Sequence, residues 1–322
     1  MRAAAILGLG CTEKDLRPFQ RNSDATWLLG MPGDSSDAEA ILVFGGDGTI
    51  HRHLAQLVRL DLPVLVVPRG SGNDFARALG LRNIRTSMAA WRQFSSRGKN
   101  VRTIDLGVIH ARPPRAVEPQ RLKPPGRAAA LSTAEAVPLP EPPHAGHAAA
   151  PYAHYFCCVG GVGLDSEVAR RANQLPRWLR GHGGYVGSLL PALFRWAPFP
   201  MRISLPSGDG FVTHSDKPTV LAAFANAPVY GGGMKIAPQA QLDDGKLDLC
   251  VIRDIDKFKL FCLFPTVYFG QHLRMPEVDY LQTDRLRIET EMPLDVYADG
   301  EYVCKTPIEV AVARGALRVI TL

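Results

Sequence analysis

Twice near its start the chain sets a wholly apolar run directly before a glycine-rich turn and follows the turn with a helical period. AILVF at 40–44 enters GGDGTI at 45–50, and PVLVV at 63–67 enters PRGSGND at 68–74. Strands without polar alternation are buried on both faces, and a repeated strand–turn–helix unit builds a parallel sheet covered by helices. The neighbouring segments fit that plan. Residues 3–7 and 25–29 read as short buried strands, and Ile50, Leu54, Leu57 and Val58 share one face of a helix over 50–60. FARALGL at 75–81 is a second helix with Gly80 as its stop, 84–95 a third, and 101–108 a further strand. Ligands bind such sheets beyond the carboxyl ends of the strands, so both glycine turns are expected at one edge.

The 322 residues suffice for two domains, and 46% apolar with 21% charged residues is a globular balance. Residues 1–110 read as the α/β domain. The stretch 111–151 breaks the pattern with ten prolines and eleven alanines. It has no apolar period and reads as a disordered insertion. From 152 to 322, short apolar strands at 155–159, 201–205, 220–225, 246–252, 285–290, 294–298, 308–313 and 317–322 alternate with Gly, Pro, Asp and Asn turns. That is a mostly β second domain, with a helical insertion at about 166–196 and a last strand able to return to the first domain. Six cysteines without a CxxC pair point to a reduced, cytoplasmic protein. The start of the chain reads as a first strand rather than a signal peptide, and no apolar stretch reaches the ~18 residues of a membrane span. A net charge of +6 suits an anionic partner. The basic residues are scattered and no binding motif appears, which speaks against nucleic acid.

GGDGTI has the make-up of a phosphate cradle. Gly45, Gly46 and Gly48 let the backbone approach a ligand, amides at a helix start attract anions, and Thr49 adds a hydroxyl. Asp47 is out of place there unless Mg²⁺ sits between carboxylate and phosphate. A plain tight turn with a helix cap is the competing reading. PRGSGND repeats the logic with Gly70, Ser71, Asn73 and Asp74, although Asp74 alone fits an N-cap. Asp105, near the end of a later strand, is a third carboxylate able to join them.

Taken in order, GGDGT, GSGNDFAR, ID at 104–105, GGVGLDSEV at 160–168, FANAPVYGGGMKIAPQAQLDDGKLDL at 224–249 and YADGE at 297–301 resemble the catalytic region of diacylglycerol-kinase-like lipid kinases. The resemblance covers most of the chain outside 111–151. It implies an NAD-kinase-like α/β domain that binds nucleotide, a β domain that takes the lipid, and an active site in the cleft between them. It further implies ATP and Mg²⁺ as cofactors and phosphoryl transfer to a lipid hydroxyl. Gly45, Gly46, Asp47, Gly48 and Thr49 would hold ATP phosphates, with Gly70, Ser71, Asn73 and Asp74 as the second nucleotide loop. Asp47, Asp74 and Asp105 would organise the catalytic Mg²⁺, directly or through water. Glu301 falls in the place of the proton acceptor, with Asp299 beside it. The DDGKLD turn matches a structural Mg²⁺ site, with the Asp244 carboxylate and the backbone carbonyls of Gln241 and Lys246 as ligands.

Two departures stand out. GDGTIHR carries His51 and Arg52 where the family has an asparagine and an acid, and LGLG at 7–10 replaces the NPxSG that usually follows the first strand. They motivate a catalytically inactive lipid- or nucleotide-binding protein as one alternative; an NAD-kinase-like enzyme, which shares GGDGT and a related two-domain plan, is the other. Cys157 and Cys158 read as strand residues. The basic, aromatic insertion, with an apolar stretch at 185–199, is expected either to pack in the core or to touch an anionic membrane surface. Diacylglycerol, sphingoid bases, ceramide, phosphatidylglycerol and polyprenols all fit as acceptor, and the oligomeric state is open.

Overall fold

The computed structural model describes residues 1–112, 153–174 and 197–322. Most of the proline- and alanine-rich stretch, and the part of the helical insertion at 175–196, lie outside the described residues. Elements in the first part of the chain are β1 (Arg2–Leu7), α1 (Glu13–Gln20), β2 (Thr26–Leu29), β3 (Ala40–Gly45), α2 (Asp47–Leu60), β4 (Val64–Pro68), α3 (Asp74–Ala78), α4 (Ile84–Arg97) and β5 (Val101–Ala111). Ala111 therefore closes a strand instead of opening an insertion, and Arg112 pairs with Glu309 at 2.6 Å.

Strands β2, β1, β3 and β4 lie side by side in that order, all parallel. Every residue of β3 is buried, as its unbroken apolar run requires. Helix α2 buries Ile50, Leu54, Leu57 and Leu60, so Leu60 takes the core position expected of half-buried Val58. Helix α1 was not expected. It buries only Leu16 and Phe19 and contains Pro18, so its sequence carries little helical period. Phe19 meets Phe44 edge-on at 5.2 Å, and Asp15 pairs with Arg69, so α1 braces the turn after β4.

The rest of the chain adds β6 (Ala153–Phe156), β7 (Val159–Gly163), α5 (Leu164–Gln174), β8 (Phe199–Ser207), β9 (Gly210–Ser215), β10 (Pro218–Ala225), β11 (Leu247–Arg253), α6 (Lys257–Val267), a 3₁₀ turn (Gln271–Arg274), β12 (Val278–Thr283), β13 (Arg285–Thr290), β14 (Asp295–Ala298), β15 (Glu301–Lys305) and β16 (Ile308–Ile320). Antiparallel pairing joins β12, β11, β10, β7, β14 and β15 into one layer. A second antiparallel run joins β9, β8, β13, β16, β5 and β6. Phe156, Phe224, Leu249, Ile288 and Val310 belong to the core cluster of this β domain.

Two expected strands, 308–313 and 317–322, are one strand, β16, with a register shift between Ala313 and Leu317. Its start pairs with β13, and Val319 near its end pairs in parallel with Val64 of β4. Strands β9, β12 and β15 were not expected, because GFVTHS, VDYLQT and EYVCK hold no apolar run. The fold is thus an α/β parallel-sheet domain followed by a mostly β domain. Among the described residues no helix is long and apolar enough to cross a membrane.

Candidate active site

Both glycine turns do leave adjacent parallel strands on the same edge, and they touch. A Cβ on Gly46 would lie 2.8 Å from the Gly70 Cα, so neither position has room for a side chain. Asn73 holds the second turn from a left-handed backbone, φ +54°. Its Oδ1 accepts from Gly70 N at 2.8 Å and its Nδ2 donates to Gly70 O. Ser71 projects, exposed, from the same turn. GDGT is not a loop: Asp47, Gly48 and Thr49 form the first turn of α2, which leaves helix-start amides facing the edge. Thr49 is turned toward the sheet. Its hydroxyl would sit 2.7 Å from a Cβ on Gly8, which is how LGLG closes the end of β1. Arg52 is exposed.

Asp47 is a structural as well as a chemical residue. Its Oδ2 accepts from Asp74 N at 2.9 Å and its Oδ1 from Phe75 N at 3.1 Å, so it caps α3 from the other turn. Burial, then the nearby charge of Asp74 and that of Asp299, outweigh those two bonds and push its carboxyl up to about 6. Asp74 is buried, pairs with Arg77, and accepts from Gly232 N at 2.8 Å. The loop at 230–234 is thereby tied to the edge.

Asp299 arrives from the β domain on the turn between β14 and β15, with φ +51°. Its carboxylate accepts from Cys157 N at 2.9 Å and Cys158 N at 2.8 Å. These two cysteines are the connection between β6 and β7 rather than part of a strand, and their amides are what hold Asp299. Burial above all raises the Cys157 thiol, whereas the Cys158 thiol is pushed up to about 12 by burial and the neighbouring aspartates against its bond to Cys157. Glu301, exposed, reaches across to α2: its Oε1 would lie 2.6 Å from a Cβ on Gly48. The ADGE turn therefore does face GGDGT, with the Glu301 carboxylate next to Gly48.

His51 was the residue undervalued in the sequence. One turn into α2, it places Nδ1 3.1 Å from Asp299 Oδ2, bridging the two domains. Burial lowers its pKa, but the bond to Asp299 and the charges of Asp299 and Glu301 outweigh that, and the net direction is up. The available signal was a titratable residue four positions after Asp47, on the same helix face. His51→Ala is expected to destabilise the protein by roughly 1.5–3 kcal/mol, the range for a hydrogen bond to a charged group. Because the folded-state pKa is raised, this contribution is present at low pH and fades as pH rises through that pKa. Urea titrations at pH 6 and pH 8 should give the larger loss at pH 6; equal losses would dissociate His51 charge from stability.

The bonds of the Asp105 carboxylate lead to other elements. Its carboxylate oxygens accept from Gly245 N and Gly315 N, both at 2.7 Å, so it ties the DDGKLD turn to the irregularity in β16. In that turn the Asp244 Oδ1 accepts from Lys246 N at 3.0 Å, and Gln241 and Lys246 are exposed. Asp243 is drawn off into a pair with Arg102.

Residues 12–109 match the diacylglycerol kinase catalytic domain, and 159–321 match the YegS C-terminal NAD kinase beta sandwich-like domain. A diacylglycerol kinase of Mycobacterium tuberculosis (strain H37Rv) is 30% identical over 318 residues, spanning 93% of this chain and 85% of the relative. A diacylglycerol kinase of Bacillus subtilis (strain 168) is 24% identical over 82% of this chain and 71% of its own length. The crystal structure of a diacylglycerol kinase from Bacillus anthracis superposes with a TM-score of 0.65 at 21% identity, covering 100% of this chain and 96% of the other. An NAD kinase from Archaeoglobus fulgidus in complex with ATP shares the fold more distantly, with a TM-score of 0.50, 13% identity and coverage of 100% and 94%. With matches along both domains and a relative 30% identical over most of both chains, the chain belongs to the diacylglycerol-kinase-like lipid kinases, phosphotransferases with an alcohol as acceptor.

Proposed function

We propose that the protein transfers the γ-phosphoryl group of ATP to the hydroxyl of a glycerolipid such as diacylglycerol, with Mg²⁺ as cofactor, in the cleft between a nucleotide-binding domain at 1–110 and a lipid domain at 152–322. The observation that carries this reading is Glu301 of the β domain lying against the first turn of α2. A lipid hydroxyl is a poor nucleophile near neutral pH, and a carboxylate at the phosphate-facing helix start can take its proton as the bond to phosphorus forms. Phosphoryl transfer otherwise asks for positioning and charge neutralisation. The amides at the start of α2 and the touching turns at Gly46 and Gly70 meet the phosphates, and exposed Ser71 adds a hydroxyl to the nucleotide side.

Mg²⁺ fits the donors. Asp47 and Asp74 converge with Asp299, and their charges, together with burial, hold the Asp47 carboxyl at about 6. Asp47 and Asp74 would hold the ion, which would neutralise phosphate charge. Each oxygen bonded by a single amide keeps a further lone pair for a metal or its water. Asp299 and His51 set the position of the turn that carries Glu301. Asp244 with the carbonyls of Gln241 and Lys246 is the second, structural Mg²⁺ site of this reading, with Asp105 securing the turn from behind. On the acceptor side, Leu164, Val168, Leu221, Leu260, Leu263 and Val267 line an apolar cavity that also includes Asp165 and Tyr230. The loop from Tyr230 to Gly232 continues from there to Asp74.

Radiolabelled ATP offered with a total lipid extract is the direct test. Label is expected in one chloroform-soluble product, abolished by EDTA and restored by added Mg²⁺. Label appearing in a water-soluble dinucleotide, or none in lipid, would overturn the reading.

A further inference from the structure

Helix α6 is apolar on both sides, yet among the described residues only one side is covered. Leu260, Leu263 and Val267 face inward and form one wall of the apolar cavity. On the outer side Phe258 and Phe261 are 74% and 44% exposed, and Phe269, in the turn just after the helix, is 73% exposed. They are the only exposed phenylalanines among the described residues. Cys262 and Pro265 are exposed between them, so the outward positions of the helix run i, i+3, i+4 and i+7 without a charge. A helix that is apolar all round is normally enclosed by protein or by lipid, and a contiguous apolar patch in water marks an interaction surface.

We propose that this outer face of α6 is where the protein sits on an anionic bilayer. The inference rests on the lipid-kinase reading in one respect, that the acceptor is drawn from a membrane. Lys257 and Lys259 are exposed at the start of the helix, where they border the aromatic stripe and suit acidic headgroups. Asp256 is used in capping, accepting from Phe258 N and Lys259 N, and Lys259 also meets Glu277 at 3.1 Å. The same helix that presents the phenylalanines outward walls the cavity inward. A lipid displaced from the bilayer at this face would therefore enter apolar surroundings continuous with the loop that reaches Asp74. The sequence also points to the insertion at 166–196 for membrane contact, most of which lies outside the described residues; the exposed aromatic residues add α6 as a contact surface.

Sedimentation with phosphatidylcholine–phosphatidylglycerol vesicles, in the absence of ATP, tests the surface apart from catalysis. The triple variant Phe258→Ser/Phe261→Ser/Phe269→Ser is expected to bind about tenfold or more weakly, because three interfacial aromatic groups are lost. Binding of the unchanged protein should fall as salt is raised and be weaker on pure phosphatidylcholine. All three positions are exposed, so the melting temperature should not fall. Activity on diacylglycerol embedded in vesicles should drop with binding, while activity on a short-chain, dispersed diacylglycerol stays within about twofold. A variant that binds vesicles as the unchanged protein does would overturn the proposal. So would a parent protein that ignores vesicles, binds both compositions alike at any salt, or sediments as a dimer that the triple variant turns into a monomer. If the unchanged protein binds vesicles but phosphorylates no lipid, the proposed function fails and the surface stands.

Discussion

Glu301→Gln is expected to cut lipid phosphorylation by roughly 10²-fold or more while the protein folds and binds nucleotide as before. Glutamine keeps the size of the side chain and its place over Gly48 but cannot accept the proton. Two smaller effects have to be separated from that loss. The carboxylate also lies at the positive end of α2, a placement worth about 0.3–1 kcal/mol, so a slight fall in melting temperature is expected. The same charge would oppose ATP phosphates, so nucleotide affinity should hold or rise slightly. Single-turnover rates with saturating ATP, read beside equilibrium nucleotide binding, distinguish these. Full turnover by the glutamine variant would move the proton elsewhere, and His51 or Asp47 would then be the residues to examine.

Asp47→Asn should abolish Mg²⁺-dependent turnover, and its effect on stability should depend on pH. Asp47 accepts two amides of α3, and its carboxyl is held at about 6 by burial and by Asp74 and Asp299. For a carboxyl with a raised folded-state pKa, stability is fully present below the ordinary value and is lost as pH rises through the folded one. At ~1.4 kcal/mol per pH unit, ionising a carboxyl held at about 6 instead of 3.8 costs about 3 kcal/mol. Asparagine removes the charge and escapes that cost, but its amide nitrogen cannot accept, so one of the two α3 amides loses its partner. In EDTA the variant should therefore melt below the unchanged protein at pH 4 and gain on it by pH 8. Added Mg²⁺ should raise the melting temperature of the unchanged protein at pH 8 and do little for the variant. A difference between the two that does not change from pH 4 to pH 8 would remove the Asp47 charge from both arguments.

How far the sequence could be read depends on the range of the interaction involved. Strands β3 and β4, the helices that follow them and the contact between their glycine turns follow from local pattern, because apolar runs and turn residues act over a few positions. Placing Glu301 opposite Gly48 needed the family's order of motifs, since 253 positions separate the two residues. The partners of Asp105 were hidden for a related reason. A carboxylate at a strand end looks alike whether it faces a metal or two backbone amides, and only the fold brings Gly245 and Gly315 to it. His51 was read as a departure because its partner, Asp299, lies in the other domain. Strand β15 was missed because EYVCK is ordered by pairing with β14, not by its own apolar content.

Strand β16 runs like a beam beneath the cleft. It is hydrogen-bonded along most of its length to β5, to β13 at one end and to β4 at the other. Swinging the two lobes apart as rigid bodies would bend the β5–β16 ribbon and break its pair with β4 at Val319 and Val64, whereas moving a loop breaks few or none. Substrate exchange is therefore assigned to segments such as 230–234 and the turn carrying Glu301, with the lobes at a fixed spacing. Amide exchange in β16 should accordingly be as slow near Val319 as near Val310, and both lobes should lose protection together, in one cooperative opening.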